Sequence, residues 1–259
     1  MTLCMKKLGK YILILLTTLL VTIAVGHMSL QYLLHRRVAQ VSIPTASSLW
    51  IHRGLFDNKM VFENTIPAFD SALKQHFKGI ELDIYYVDSI NDFVVTHDMP
   101  NQFHLPELRL ITVIQRYGNQ FFYWLDLKNL NEHNQELIAQ RMNVILDQNL
   151  REKVFIESGH ASALGYLTTQ HLQTLYWIQY ERKNAVKRFL KKLYIHSCFW
   201  RYHYTGASIG AVMADEDFFS SFDYIPQFVF HIYAAAELEK LKQKKNTVVH
   251  LVDFIPNPS

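Results

Sequence analysis

Residues 79–98 run GIELDIYYVDSINDFVVTHD. Apolar and polar residues alternate from Gly79 to Tyr86, the period of a strand, so Glu81 and Asp83 project to one face. The turn-forming run Asp88-Ser89-Ile90-Asn91-Asp92 folds the chain back. Asp92 to Thr96 then forms a second strand. A hairpin centred on Ile90 sets His97 opposite Asp83, where cross-strand Cβ atoms lie about 5 Å apart. Two carboxylates and an imidazole converge at the end of one strand pair.

Outward from this hairpin, short apolar runs alternate with helical stretches. Strands are expected at Leu49-Trp50-Ile51, Phe121 to Leu127, Val154 to Ile156, Thr174 to Ile178, Gly210 to Met213, Phe228 to Tyr233 and Thr247 to Val252. Helices are expected from Ile66 to Gln75, capped by Asn64 or Thr65 with Pro67 in the first turn, from Asn134 to Asn149 and from Ala234 to Lys244. About eight β-then-α units predict an α/β fold, a TIM-like (β/α)8 barrel with the β-hairpin as an excursion.

Ahead of the barrel, Lys6, Lys7 and Lys10 precede an uncharged run from Tyr11 to Val25, and apolar residues recur to Leu34 before His35-Arg36-Arg37. The segment reaches the roughly 20 residues that span a bilayer. It predicts a transmembrane or signal helix at 1–37, with Ala24-Val25-Gly26 resembling a cleavage site. The basic residues before the run favour a cytoplasmic N-terminus and an extracytoplasmic barrel, and Arg36 and Arg37 oppose it. Cleavage would instead leave a secreted or periplasmic protein. Residues 38–48 read as a linker and 49–259 as the barrel domain.

The 259 residues are 49% hydrophobic and 19% charged, which excludes a disordered chain. A net charge of +3 is too balanced for a nucleic-acid binder. Cys4 and Cys198 lie too far apart in sequence to suggest a disulfide framework. The basic, aromatic stretch 182–204 reads either as an outer barrel helix or as a surface lying on a membrane.

In such barrels, strand C-termini carry the chemistry. His52-Arg53 ends the first strand, and Asp126 and Lys128 end the strand after the hairpin. Glu81, Asp83 and Asp126 form a hard oxygen site suited to Mg²⁺ or Ca²⁺. Arg53 and Lys128 beside it make a seat for a phosphate, and His52 and His97 can carry protons near neutral pH. Together these groups form a phosphoryl-transfer kit. Glu157 ends the next strand and reads as a carboxylate on a solvated rim. His76, His133, His160, His171 and His250 read as structural or surface residues.

His52-Arg53-Gly54, Glu63-Asn64-Thr65 with Ala68-Phe69, Gly79 to Asp83 and Val94 to Asp98 resemble, in that order, the glycerophosphodiester phosphodiesterase family. That family belongs with the phosphatidylinositol-specific phospholipase C-like barrels. Leu125 to Lys128 extends the likeness, with Asp126 where the family usually has Glu. The late strands depart from the pattern, at Phe230-His231-Ile232-Tyr233 and at Val249 to Asp253.

The resemblance implies metal-dependent hydrolysis of a glycerophosphodiester or lysophospholipid-like substrate, releasing an alcohol and glycerol phosphate. It implies His52 and His97 as general base and acid, with Arg53, Lys128 and Asn64 on the phosphate. Glu81, Asp83, Asp126 and Glu63 would form the metal shell. Two alternatives stand beside it: a phospholipase D-like lyase of the same barrel group, and an inactive membrane-anchored binding barrel.

Overall fold

The computed structural model describes residues 2–37, 41, 43–44, 48–57, 59–101, 108–180 and 184–256. Most of the expected linker, residues 102–104 and residues 182–183 lie outside the described residues.

The chain begins with α1 (Thr2–Arg37), a helix of 36 residues. From Lys7 to Arg36 it is long and apolar enough to cross a bilayer, and its most apolar window is unburied by the rest of the protein. Then follow β1 (Leu49–Ile51), α2 (Ile66–Lys74), β2 (Gly79–Val87), β3 (Asp92–Val95), α3 (Leu110–Tyr117) and β4 (Phe122–Leu127). Next come α4 (Gln135–Ile145), α5 (Gln148–Arg151), β5 (Val154–Ser158), α6 (Ala161–Thr169) and β6 (Gln173–Trp177). The chain ends with α7 (Ala185–Tyr202), β7 (Gly206–Gly210), α8 (Glu216–Ser221), β8 (Gln227–Ile232), α9 (Ala235–Lys242) and β9 (Thr247–Val252).

Every strand except β3 pairs in parallel with its neighbours, and β9 returns to β1, closing an eight-stranded TIM-like barrel with helices outside. β3 hangs on β2 as the antiparallel excursion.

The two faces of each strand explain the core. Outward residues such as Ile80, Leu82 and Ile84 on β2 pack with Phe69 and Val113 in one large apolar cluster between strands and helices. Inward residues Trp50, Trp124, Phe155, Leu175, Phe228 and Leu251 fill the barrel itself. The Trp124 ring meets Phe228 edge-on at 5.5 Å, and the Phe155 ring lies tilted against it at 5.0 Å. Gly79 makes this filling possible: a Cβ there would lie 2.3 Å from the Trp50 ring.

Three details differ from expectation. The hairpin pairs Ile84 with Val95 and Val87 with Asp92. This is one residue away from a register centred on Ile90, so Thr96, not His97, bonds back to Asp83, N to O at 3.0 Å. The shift arises because Asp88–Ile90 form a 3-10 turn that ends on Asn91 in left-handed conformation. The helix expected at 134–149 breaks in two because Asp147 caps a new helix, accepting from the Leu150 amide. β7 is Gly206–Gly210, and Ala211–Met213 is a 3-10 turn.

Candidate active site

Inward positions repeat every second residue, so each strand climbs from an apolar floor to a polar end. β1 passes from Trp50 to His52, β2 from Gly79 through Glu81 to Asp83, β4 from Trp124 to Asp126, and β5 from Phe155 to Glu157. Parallel register sets Asp83 beside Asp126 and Asp126 beside Glu157. The acids therefore meet at the C-terminal mouth of the barrel.

One oxygen from each of Glu81, Asp83 and Asp126 lies within 4.8 Å of the other two. Asp83 is fully buried and flanked by cations. Its Oδ2 lies 2.8 Å from Arg53 Nε and accepts from Asn64 Nδ2 at 2.8 Å, and its Oδ1 lies 2.6 Å from Lys128 Nζ. Lys128 also bonds Asp126. The Arg53 amide donates to Glu81 Oε2 at 3.0 Å.

The charges shape one another. Burial, then the Asp83 and Asp126 carboxylates, push the Glu81 carboxyl well above its ordinary range. Burial raises Asp126 too, against the pull of Lys128. Burial acts the same way on Asp83, but Lys128, Arg53 and Asn64 outweigh it and hold that carboxyl low. A mutually repelling set of oxygen donors, incompletely neutralised by its lysine, fits a divalent cation.

His52 follows β1. Its Nδ1 lies 2.6 Å from Asp253 Oδ1, just beyond β9, and its Nε2 lies 3.9 Å from Glu81 Oε2. The carboxylate holds the proton on Nδ1 and leaves Nε2 facing the cavity. His97 is half-exposed, with Nδ1 3.0 Å from Asp98 Oδ1. Arg53 and Asn64 have positive φ, at 54° and 56°, and Gly54 follows at 80°. A Cβ on Gly54 would lie 2.8 Å from the Ala68 Cβ. Such backbone outliers cluster at functional sites.

Among the expected residues, His52, Arg53, Glu81, His97, Asp126 and Lys128 line one cavity of about 500 Å³. Asp83 and Asn64 stand behind that lining. Glu63 sits apart from the acid cluster: both its oxygens accept from an Arg53 terminal nitrogen, at 3.0 and 3.1 Å.

Residues outside the expected site complete the cavity. Glu157, expected on a solvated rim, is buried and lines it. Trp124 Nε1 donates to this carboxylate, and burial followed by the Asp126 charge raises its pKa well above the usual range. Asp253 holds His52; in the sequence it is marked only as the end of the late stretch Val249 to Asp253, with no role attached. Trp177, Phe230 and His231 line the cavity as well. His231, at φ 58°, sets its ring 6.0 Å from that of His52.

Residues 52–153 match the sequence profile of the Glycerophosphoryl diester phosphodiesterase family. The match runs from the end of β1 to just before β5, 102 of the 259 residues. No curated protein matches the sequence significantly.

Solved structures share the fold. A Silicibacter pomeroyi protein described as a glycerophosphoryl diester phosphodiesterase is 13% identical, with a TM-score of 0.62 over 82% of this chain and 92% of its own. An Oleispira antarctica phosphodiesterase, solved with the product sn-glycerol-3-phosphate, is 17% identical with a TM-score of 0.59, over 80% and 92%. A glycerophosphodiester phosphodiesterase from Parabacteroides distasonis is 14% identical with a TM-score of 0.59, over 79% and 91%.

Proposed function

We propose that this protein hydrolyses glycerophosphodiesters or lysophospholipid-like diesters, releasing an alcohol and glycerol phosphate. The observation that carries this reading is the convergence of two imidazoles, two cations and the acid cluster on one cavity. Arg53 and Lys128 receive the phosphate, which takes over part of their pairing with Asp83. His52 Nε2, oriented through Nδ1 by Asp253, accepts the proton of the glycerol hydroxyl next to the phosphate as its oxygen bonds phosphorus. His97 donates a proton to the departing alcohol oxygen as the old phosphorus–oxygen bond breaks. Water then adds to the cyclic phosphate with the proton transfers reversed, breaking the ring bond and leaving glycerol phosphate. Trp124, Trp177 and Phe230 wall the cavity and limit water around the reacting ester.

Glu81, Asp83 and Asp126 would hold a divalent cation, Mg²⁺ or Ca²⁺. When bound, it would neutralise phosphoryl charge. Glu63 would act through Arg53, keeping the guanidinium planar to the ester.

In this reading residues 1–37 are a retained membrane anchor, 38–48 a linker and 49–259 the extracytoplasmic barrel. A metal-by-substrate activity screen tests the chemistry, with His52→Ala and His97→Ala as inactive controls. Full activity in either variant removes that residue's role. Sodium carbonate extraction of membranes tests the anchor: a retained helix keeps the protein in the pellet.

A further inference from the structure

α1 packs along α7, and its contacts fix its direction. The His27 ring lies 6.2 Å from Phe189 and 4.9 Å from His196. Further along α1, His35 lies 4.6 Å from the Tyr224 ring and 3.5 Å from Asp223. Residues 223–224 precede β8 and so belong to the N-terminal end of the barrel. α7 follows β6 and so starts at the C-terminal end, where the cavity opens. The two helices therefore run in the same sense. Traced back from His27 at about 1.5 Å per residue, α1 passes the first turns of α7 and projects beyond the cavity face. Lys7 to Val25 are all exposed.

That face is also unusually apolar. Met60 and Phe62 after β1, Met99 after β3, Val212 after β7 and Tyr233 after β8 are exposed there. So are Val186, Phe189 and Leu190 on the first turns of α7, at the level where α1 leaves. Lys187 and Lys191, on the same turns, line a second cavity of about 510 Å³ with Val212 and Met213. This cavity shares Trp177, Phe230 and His231 with the catalytic one. Exposed apolar residues, interleaved lysines and an aromatic wall are a surface suited to lipid headgroups over acyl chains.

We propose that the cavity face of the barrel rests on the bilayer that α1 crosses, and that the second cavity leads a lipid phosphodiester from that surface to His52. This rests on the reading of α1 as a retained anchor. The apolar rim enters the interface, Lys187 and Lys191 meet lipid phosphates, and the mouth opens on the membrane rather than on bulk water.

The test uses the full chain in phosphatidylcholine–phosphatidylserine vesicles with brominated acyl chains. All 4 tryptophans lie in the barrel and none in α1, so quenching reports the barrel face alone. Docking predicts quenching that Trp177→Phe largely removes. The pair Val186→Asp and Leu190→Asp should weaken quenching and cut hydrolysis of vesicle-borne lysophosphatidylcholine by about fivefold or more. Hydrolysis of soluble glycerophosphocholine should stay near wild type. Val144→Asp, near the far end of α4, should change neither. Protein retained after carbonate washing but unquenched overturns the docking alone. Protein released by the wash overturns the anchor and the docking with it.

Discussion

Asp253 Oδ1 lies 2.6 Å from His52 Nδ1, joining the residue just past the last strand to the residue just past the first. β1 and β9 are neighbours, Ile51 pairing with Val252, so barrel closure itself delivers the carboxylate to the imidazole. In the proposed mechanism Asp253 fixes the ring while His52 accepts a proton on Nε2. Asp253→Asn should lower kcat by on the order of 10²-fold with little change in KM. Equal losses in kcat and fold stability would indicate a purely structural contact.

Cation binding should be visible without turnover. Glu81 has a carboxyl pKa raised by burial and by neighbouring carboxylates, so its charged form opposes folding. Stability from this group is present at low pH and is lost as pH rises through the raised folded value. A bound divalent cation would offset that loss. Thermal melts at neutral pH should rise with Mg²⁺ or Ca²⁺, and Glu81→Gln should remove most of the increment. An unchanged melting temperature across millimolar cation would argue against a cation site here.

His196 provides a separate pH signal. It is fully buried, bonds Tyr224, and burial lowers its pKa to about 3 from 6.5. The folded state holds it neutral, while the unfolded chain binds its proton below about 6.5. Stability is therefore present above that value and is lost as pH falls toward 3, at about 1.4 kcal/mol per pH unit. His196→Phe should flatten the acid side of the denaturation profile relative to wild type. A parallel profile would mean that His196 titrates normally.

Gly79→Ala should damage the fold rather than the chemistry. The added Cβ meets the buried Trp50 ring at 2.3 Å, inside a filled barrel. Overpacking of this kind costs about 1–3 kcal/mol. Urea midpoints should fall accordingly, and paired Trp50→Leu should recover part of the loss. Wild-type stability in Gly79→Ala alone would contradict the described packing.

The barrel was legible because alternation and strand-end polarity recur unit after unit. Glu81 and Asp83 share a face by period alone, and Asp126 joins them through parallel register. β7 lies ahead of the expected Gly210 to Met213 because Gly-Ala-Ser-Ile-Gly has little β-branched character; its fit depends on Phe230 and Leu175 around it. The hairpin slipped by one residue because turn composition does not fix the left-handed Asn91. Glu157 faces inward by the same period, but its burial comes from the assembled barrel, and Asp253 reaches His52 only through barrel closure. The αL backbone of His231 was equally hidden.

The most direct test is phosphorus NMR of glycerophosphocholine incubated with the full chain and Mg²⁺ or Ca²⁺, beside His52→Ala. The account predicts conversion of the diester to glycerol phosphate, a signal lost in His52→Ala. An unaltered diester signal with folded, cation-loaded protein would contradict it, and a cyclic phosphate as the final species would replace hydrolysis with a lyase reaction.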